Sequence, residues 1–170
     1  MPLTPDSRKR STKCTWGKDA NNIQQAIISY RKALTVYKCN VETFKCCETA
    51  RNLGNLYFEQ KSWLDASIAY TLAFQSSIIL YQDCFSVTDK ARELSKNAGL
   101  SHRTAYALAR AGKYKRAVTT LERSRARTLS EALQRNHAYI PNPNAQCNHP
   151  LVYLLHTSAG SLALIIGPLA

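Results

Sequence analysis

The sequence predicts an all-α chain of stacked antiparallel helix pairs that ends in a short β-hairpin. Three observations carry this expectation. Apolar residues recur every three or four positions in successive stretches between residues 22 and 134. One spacing of small and aromatic residues returns along the chain. The charge-free C-terminal segment holds two short apolar runs around a small-residue turn.

A chain of 170 residues, 45% hydrophobic and 20% charged, has the composition of one globular domain, or of a domain plus a fragment of a second. Residues 1–18 are polar and basic, with Pro2 and Pro5, and read as a flexible arm. No apolar stretch follows the basic cluster, so no secretory leader is expected and a cytoplasmic location is. Ile23, Ala26, Ile27, Tyr30, Leu34 and Tyr37 trace one face of a helix over 22–37, with Asn21 and Gln24 as its capping pair. Asn40 is expected to cap a second helix over about 42–59. Ser62 and Asp65 open a third over 62–82. The stretch 86–111 is helix-prone with a break near Gly99, and Gly112 marks a turn. A last long helix over Tyr114–Gln134 sets Ala117, Val118, Leu121, Leu129, Ala132 and Leu133 on its apolar side. Together these make a helical domain over 19–135.

Residues 136–150 form a linker, because Pro141, Pro143, Pro150 and four Asn cannot continue a helix. In 151–170, the runs Leu151–Leu155 and Leu162–Ile166 flank Thr157–Ser161 and read as a hairpin. Leu151–Ala170 also carries no charge over a length that would cross a bilayer. However, His156, Thr157, Ser158, Gly160 and Ser161 fall at its centre, where polar groups are costly, so no membrane partner is expected.

The recurring spacing is Ala, an aromatic residue four positions on, and a small residue three further. It occurs as Ala26-Tyr30-Ala33 and Ala66-Tyr70-Ala73, and more weakly as Ala117-Leu121-Ser124. Leu53-Gly54-x-x-Tyr57 precedes the second copy, with Gly54 twelve residues before Ala66. Ala105 and Leu108 stand in the same relation to Ala117. Small residues would let paired helices approach, Gly54 facing Ala66, while Tyr57 and Tyr70 fill the space beside them. Each pair would leave an apolar face for the next pair to cover.

This pattern over residues 47–80 resembles a tetratricopeptide repeat, with residues 22–37 similar to the second helix of a preceding unit and 100–125 to a following one. The alanine anchors fall 40 and 51 residues apart, against about 34 in that family. The run Tyr106–Leu133, with its Ala-Gly-Lys-Tyr-Lys-Arg-Ala turn at 111–117, resembles the helix pair that precedes a CHAT domain, a caspase-like module. Pro150–Ile166 resembles the first strand pair of that module. The resemblance implies a catalytic His and Cys on later strands, beyond Ala170, so His156 and Cys147 do not take those roles and no enzyme activity is expected.

The residues offer little other chemistry. Phosphate loops, paired carboxylates and nucleophile motifs are missing from the sequence. The six cysteines (Cys14, Cys39, Cys46, Cys47, Cys84 and Cys147) contain no Cys-x-x-Cys and are expected as free thiols. Cys147 and His149 lack a second ligand pair, and no metal or other cofactor is expected. The net charge is +12. Residues 90–135 hold 12 Lys/Arg and 3 Asp/Glu, a net of +9, and 136–170 hold none of these. Arg116, Arg123 and Arg127, spaced by 7 and 4, share one side of the last helix, with Lys113, Lys115 and Arg125 beside them. Three readings of that side stay open. It is a solvated face on which Glu122 and Glu131 pair with Arg125 and Arg127, a dock for an acidic protein, or a contact for a nucleic-acid backbone. The expected function is a non-catalytic adaptor that binds a peptide or protein, preferably acidic, on the concave face of the stacked pairs. The alternatives are a fragment of a caspase-like cysteine peptidase and a basic nucleic-acid binder. The oligomeric state stays open.

Overall fold

A computed structural model of the chain describes residues 20–136 and 151–167, with side chains for 21–129 and 151–167. The expected arm at 1–18 and nearly all of the linker at 136–150 lie outside the described residues. The described residues are mostly helical. They form α1 (Ala20–Val36), α2 (Thr43–Glu59), α3 (Trp63–Gln82), α4 (Val87–Lys96), α5 (Leu100–Arg110) and α6 (Tyr114–Asn136), then β1 (Leu151–Thr157) and β2 (Gly160–Ile166).

The helix ends follow local chemistry, not always at the expected residue. α1 already contains Asn21 and Gln24, so these do not cap it. Asn40 does not cap α2 either; Glu42 takes that place without a side-chain bond. The reason is a tight turn ahead of the helix. The amides of Val41 and Glu42 both bond the Lys38 carbonyl, and Thr43 Oγ1 donates to the Cys39 carbonyl at 2.6 Å. Ser62 does occupy the N-cap of α3, but its hydroxyl makes no capping bond. Ser86 caps α4, accepting from the Asp89 amide at 3.0 Å. The break near Gly99 separates α4 from α5, and Gly99 sits at φ +77°, a left-handed conformation that glycine adopts without steric cost.

α2 and α3 pack along their whole length as an antiparallel pair joined by Gln60–Ser62. α5 and α6 form a second pair, joined at 111–113. α1 covers α2, and α3 packs on α5. Tyr70, Ala66, Ala73, Ala105 and Ala117 are fully buried in one continuous core. Phe58 of α2, Trp63 of α3 and Tyr106 of α5 meet with ring centroids 5.3–5.7 Å apart, Trp63 edge-on to both others and Phe58 tilted against Tyr106, tying the two pairs together. The longer spacing between the second and third alanine anchors has a simple cause: α4 is inserted between the pairs. It has no buried residue and lies against α3. α6 packs through Ala117, Val118 and Leu121, but Leu129, expected on the same apolar side, is 58% exposed. Ala132 and Leu133 belong to the side chains outside the description.

β1 and β2 pair antiparallel from Leu151↔Ile166 to Thr157↔Gly160, leaving a turn of only Ser158 and Ala159. The strands run further toward the turn than the apolar runs alone suggest, because backbone pairing continues through His156 and Ser161. Tyr153, Leu155 and Leu164 face inward and join the helical core. Val152, Leu154 and Ile165 face outward and are exposed. Among the described residues no helix is long and apolar enough to cross a membrane, and Leu151–Ile166, within the charge-free Leu151–Ala170, is strand and turn.

Candidate functional site

Glycine 54 shows how the helix pair is built. A Cβ on this residue would lie 2.6 Å from Cδ1 and 2.7 Å from Cε1 of Tyr70. The missing side chain therefore makes room for the Tyr70 ring. The expected partner, Ala66, is not the group that fills the notch. Tyr70 is buried, and its hydroxyl donates to Asn55 Oδ1 at 2.7 Å. Arg103 of α5 donates to the same oxygen at 3.0 Å, so Asn55 links three helices. Leu53 and Tyr57 are buried on α2; Leu108 and Leu121 are buried where α5 meets α6. Ala26, Tyr30 and Ala33 are only half-buried, since α1 packs on one side alone.

The three arginines of α6 do not point into open solvent together. Arg116 lines a cavity of about 380 Å³ with Ser67, Ile68, Thr71, Leu72 and Gln75 of α3. Arg123 and Arg127 line a second, of about 320 Å³, with Ile78, Tyr81 and Gln82. Early α3 thus lies by early α6 and late α3 by late α6, so the helices run in the same direction with the two cavities along the groove between them. The lining residues include Ile68, Leu72 and Ile78 of α3, three arginines of α6 and no carboxylate.

Arg127 differs from the other two. Its guanidinium lies over the rings of Phe74 and Tyr81, 5.8 and 5.3 Å from their centroids. Partial burial lowers its pKa from the ordinary arginine range, and its Nε has no hydrogen-bond partner among the described residues. Pairing with Glu131 lies outside the described side chains. The Glu122–Arg125 pair is present but long, at 4.0 Å, and exposed. Arg125 also stands over the Tyr153 ring at 5.0 Å, while the Tyr153 hydroxyl donates to Glu122. That hydrogen bond to the carboxylate, more than burial, raises the Tyr153 pKa.

The opposite wall of the groove is missing from the expected site. Its residues, Ser67, Thr71, Gln75, Ile78 and Gln82, follow each other at spacings of four, four, three and four, one row of a helix. The signal was legible as a row. Nothing in it said that α6 would lie alongside.

His156 accepts or donates a bond to Ser161 Oγ at 2.9 Å, its register partner across the hairpin, on the exposed side of the sheet. Cys147 lies outside the described residues. Among the described residues, no three His, Cys, Asp or Glu side chains gather as metal ligands would. No family model matches the chain, and no curated protein or solved structure matches it either.

Proposed function

We propose that the chain is a non-catalytic helical-repeat adaptor that holds an acidic, partly apolar segment of a partner protein along the groove between α3 and α6. One observation carries this reading: Arg116, Arg123 and Arg127 line a groove whose other lining residues include Ile68, Leu72 and Ile78 and no carboxylate. Apolar side chains of a partner would bury against these isoleucines and Leu72, and its carboxylates would meet guanidinium forks that bind them in bidentate fashion. The groove belongs to the second helix of each pair, and so takes the place of the concave face in the binding role.

The repeat character rests on two helix pairs of like build. In both, a buried small residue of the first helix, Gly54 or Ala105, stands twelve positions before a buried alanine of the second, Ala66 or Ala117. The likeness to tetratricopeptide units, and of the hairpin to the opening strands of a CHAT module, stays a resemblance that this reading is consistent with.

The test is fluorescence anisotropy with a short labelled peptide of alternating Glu and Leu, beside its Lys-for-Glu counterpart. The acidic peptide binds and the basic one does not. Arg116→Ala combined with Arg123→Ala weakens binding about tenfold, the sum of two partly exposed charge pairs of somewhat under 1 kcal/mol each. Unchanged affinity in the double variant would sink the groove as the site. Tighter binding to RNA or DNA, with a steep fall as salt rises, would transfer the function to nucleic acid.

A further inference from the structure

At the start of α2, two thiols meet. Cys39 Sγ, in the turn between α1 and α2, lies 3.0 Å from Cys46 Sγ in the first turn of α2. Both are free thiols, Cys39 half-buried and Cys46 buried at 1% exposure. The approach is set by backbone geometry. The Lys38 carbonyl receives the amides of Val41 and Glu42, the Glu42 carbonyl receives the Cys46 amide, and Thr43 Oγ1 donates to the Cys39 carbonyl. These bonds fold the chain back so that a seven-residue separation becomes a side-chain contact. Cys47, next in sequence, is not a competitor. It points about 100° away around the helix, where its thiol donates to the Ala73 carbonyl at 3.4 Å and Arg51 Nη2 lies 3.7 Å from its sulfur.

We infer that Cys39 and Cys46 form a thiol–disulfide exchange site, closed by a small-molecule disulfide of the glutathione type and reopened by the matching thiol. Sulfurs in a disulfide sit about 2.05 Å apart, so closure asks for roughly 1 Å more of approach, within reach of a turn residue. The order of steps follows from access. Cys39 loses its proton to solvent and its thiolate attacks one sulfur of the small disulfide. That S–S bond breaks, one small thiolate leaves and takes up a proton, and a mixed disulfide remains on Cys39. Cys46 then loses its proton and attacks the Cys39 sulfur, expelling the second small thiol. Two electrons and two protons pass from the protein to the small disulfide, which ends as two thiols. Burial raises the Cys46 thiol well above its usual range, with the bond to Cys39 adding to this, so Cys46 acts second. The closed bridge would pin the end of α1 to the start of α2.

The experiment incubates the full chain with glutathione disulfide, quenches in acid, alkylates and maps the tryptic peptides by mass spectrometry with fragmentation. Cleavage after Lys38 and Lys45 leaves Cys39 and Cys46 on separate peptides, so a bridge joins two masses. The expected result is a Cys39–Cys46 linked pair. Cys39→Ser abolishes it, and Cys46→Ser instead accumulates glutathione on Cys39. Amide exchange over residues 37–42 slows in the bridged form. Three results overturn the inference: stable glutathione on Cys39 of the unaltered chain without closure, no reaction at either thiol, or a bridge from either thiol to another cysteine. If Cys46→Ser does not fold, the unaltered chain and Cys39→Ser, at a half-exposed turn position, still decide.

Discussion

Gly54 carries more of the packing than its size suggests. Restoring a single Cβ there meets the Tyr70 ring at 2.6 Å, a distance that requires the ring or the helix to move. Tyr70 has little freedom to yield, because its hydroxyl is bonded to Asn55 and Phe58 packs on its ring with centroids 6.0 Å apart. Gly54→Ala would gain helix propensity of about 1 kcal/mol, yet overpacking of a filled core costs about 1–3 kcal/mol. The expected outcome is a net loss of up to about 2 kcal/mol by urea denaturation. A stabilised Gly54→Ala protein would mean that the notch is not filled as described. The sequence points to Gly54 as a close-approach site, because a glycine inside a helical period has a packing reason more often than a turn reason. It does not name the ring that enters, since Tyr57 and Tyr70 are equally available on a helical wheel.

At the scale of elements, the hairpin shows how little local sequence decides about docking. A two-stranded hairpin is marginal by itself in water. Here Tyr153, Leu155 and Leu164 lend it to the core, and two hydroxyl bonds fasten it: Tyr153 to Glu122 of α6, and Tyr106 of α5 to the Ala159 carbonyl at 3.3 Å. Tyr153→Phe keeps the ring and removes one of these. The charge-assisted bond is worth about 1.5 kcal/mol. Amide exchange in residues 151–166 should therefore accelerate roughly tenfold, while α2 and α3 keep their protection. Equal acceleration in α2 and α3 would show that the hairpin and the helices open as one unit. Alternating exposure was not legible in Leu151–Leu155, where both faces are apolar. Only the arrival of α5 and α6 on one side makes Tyr153 and Leu155 inner and Val152 and Leu154 outer. α4 has a similar history. Its sequence is helical enough, but that it forms a separate surface helix follows from Gly99 turning the chain and from Arg51 Nη2 bonding Asn97 Oδ1 at 2.6 Å, a contact across 46 residues.

For the molecule as a whole, the buried phenol and thiols set an alkaline limit to stability. Burial pushes Tyr70 up to about 12, and it raises Cys46 and Cys47 as well. Below about pH 10 folded and unfolded chains both hold the Tyr70 proton, and its contribution is intact. Between pH 10 and 12 the unfolded chain releases that proton while the folded chain keeps it, so unfolding becomes easier as pH rises. The loss is about 1.4 kcal/mol per pH unit, near 3 kcal/mol in total. The thiols begin the same loss about one unit earlier. Chemical denaturation from pH 8 to 11.5 should show the midpoint falling from about pH 9, less steeply in Tyr70→Phe; a flat profile would contradict the burial of these groups. What the sequence alone determined is the local part: helical periods, the breaks at Gly99 and Gly112, the hairpin, and the row of arginines, because each depends on residues within a turn or two of one another. What only the tertiary structure decided is which surfaces meet: Tyr70 in the notch of Gly54, and α3 beside α6 as the far wall of an arginine groove. Those meetings depend on how separate elements turn and stack, and many side chains of similar size and polarity satisfy the same helical period without fixing the partner across the gap.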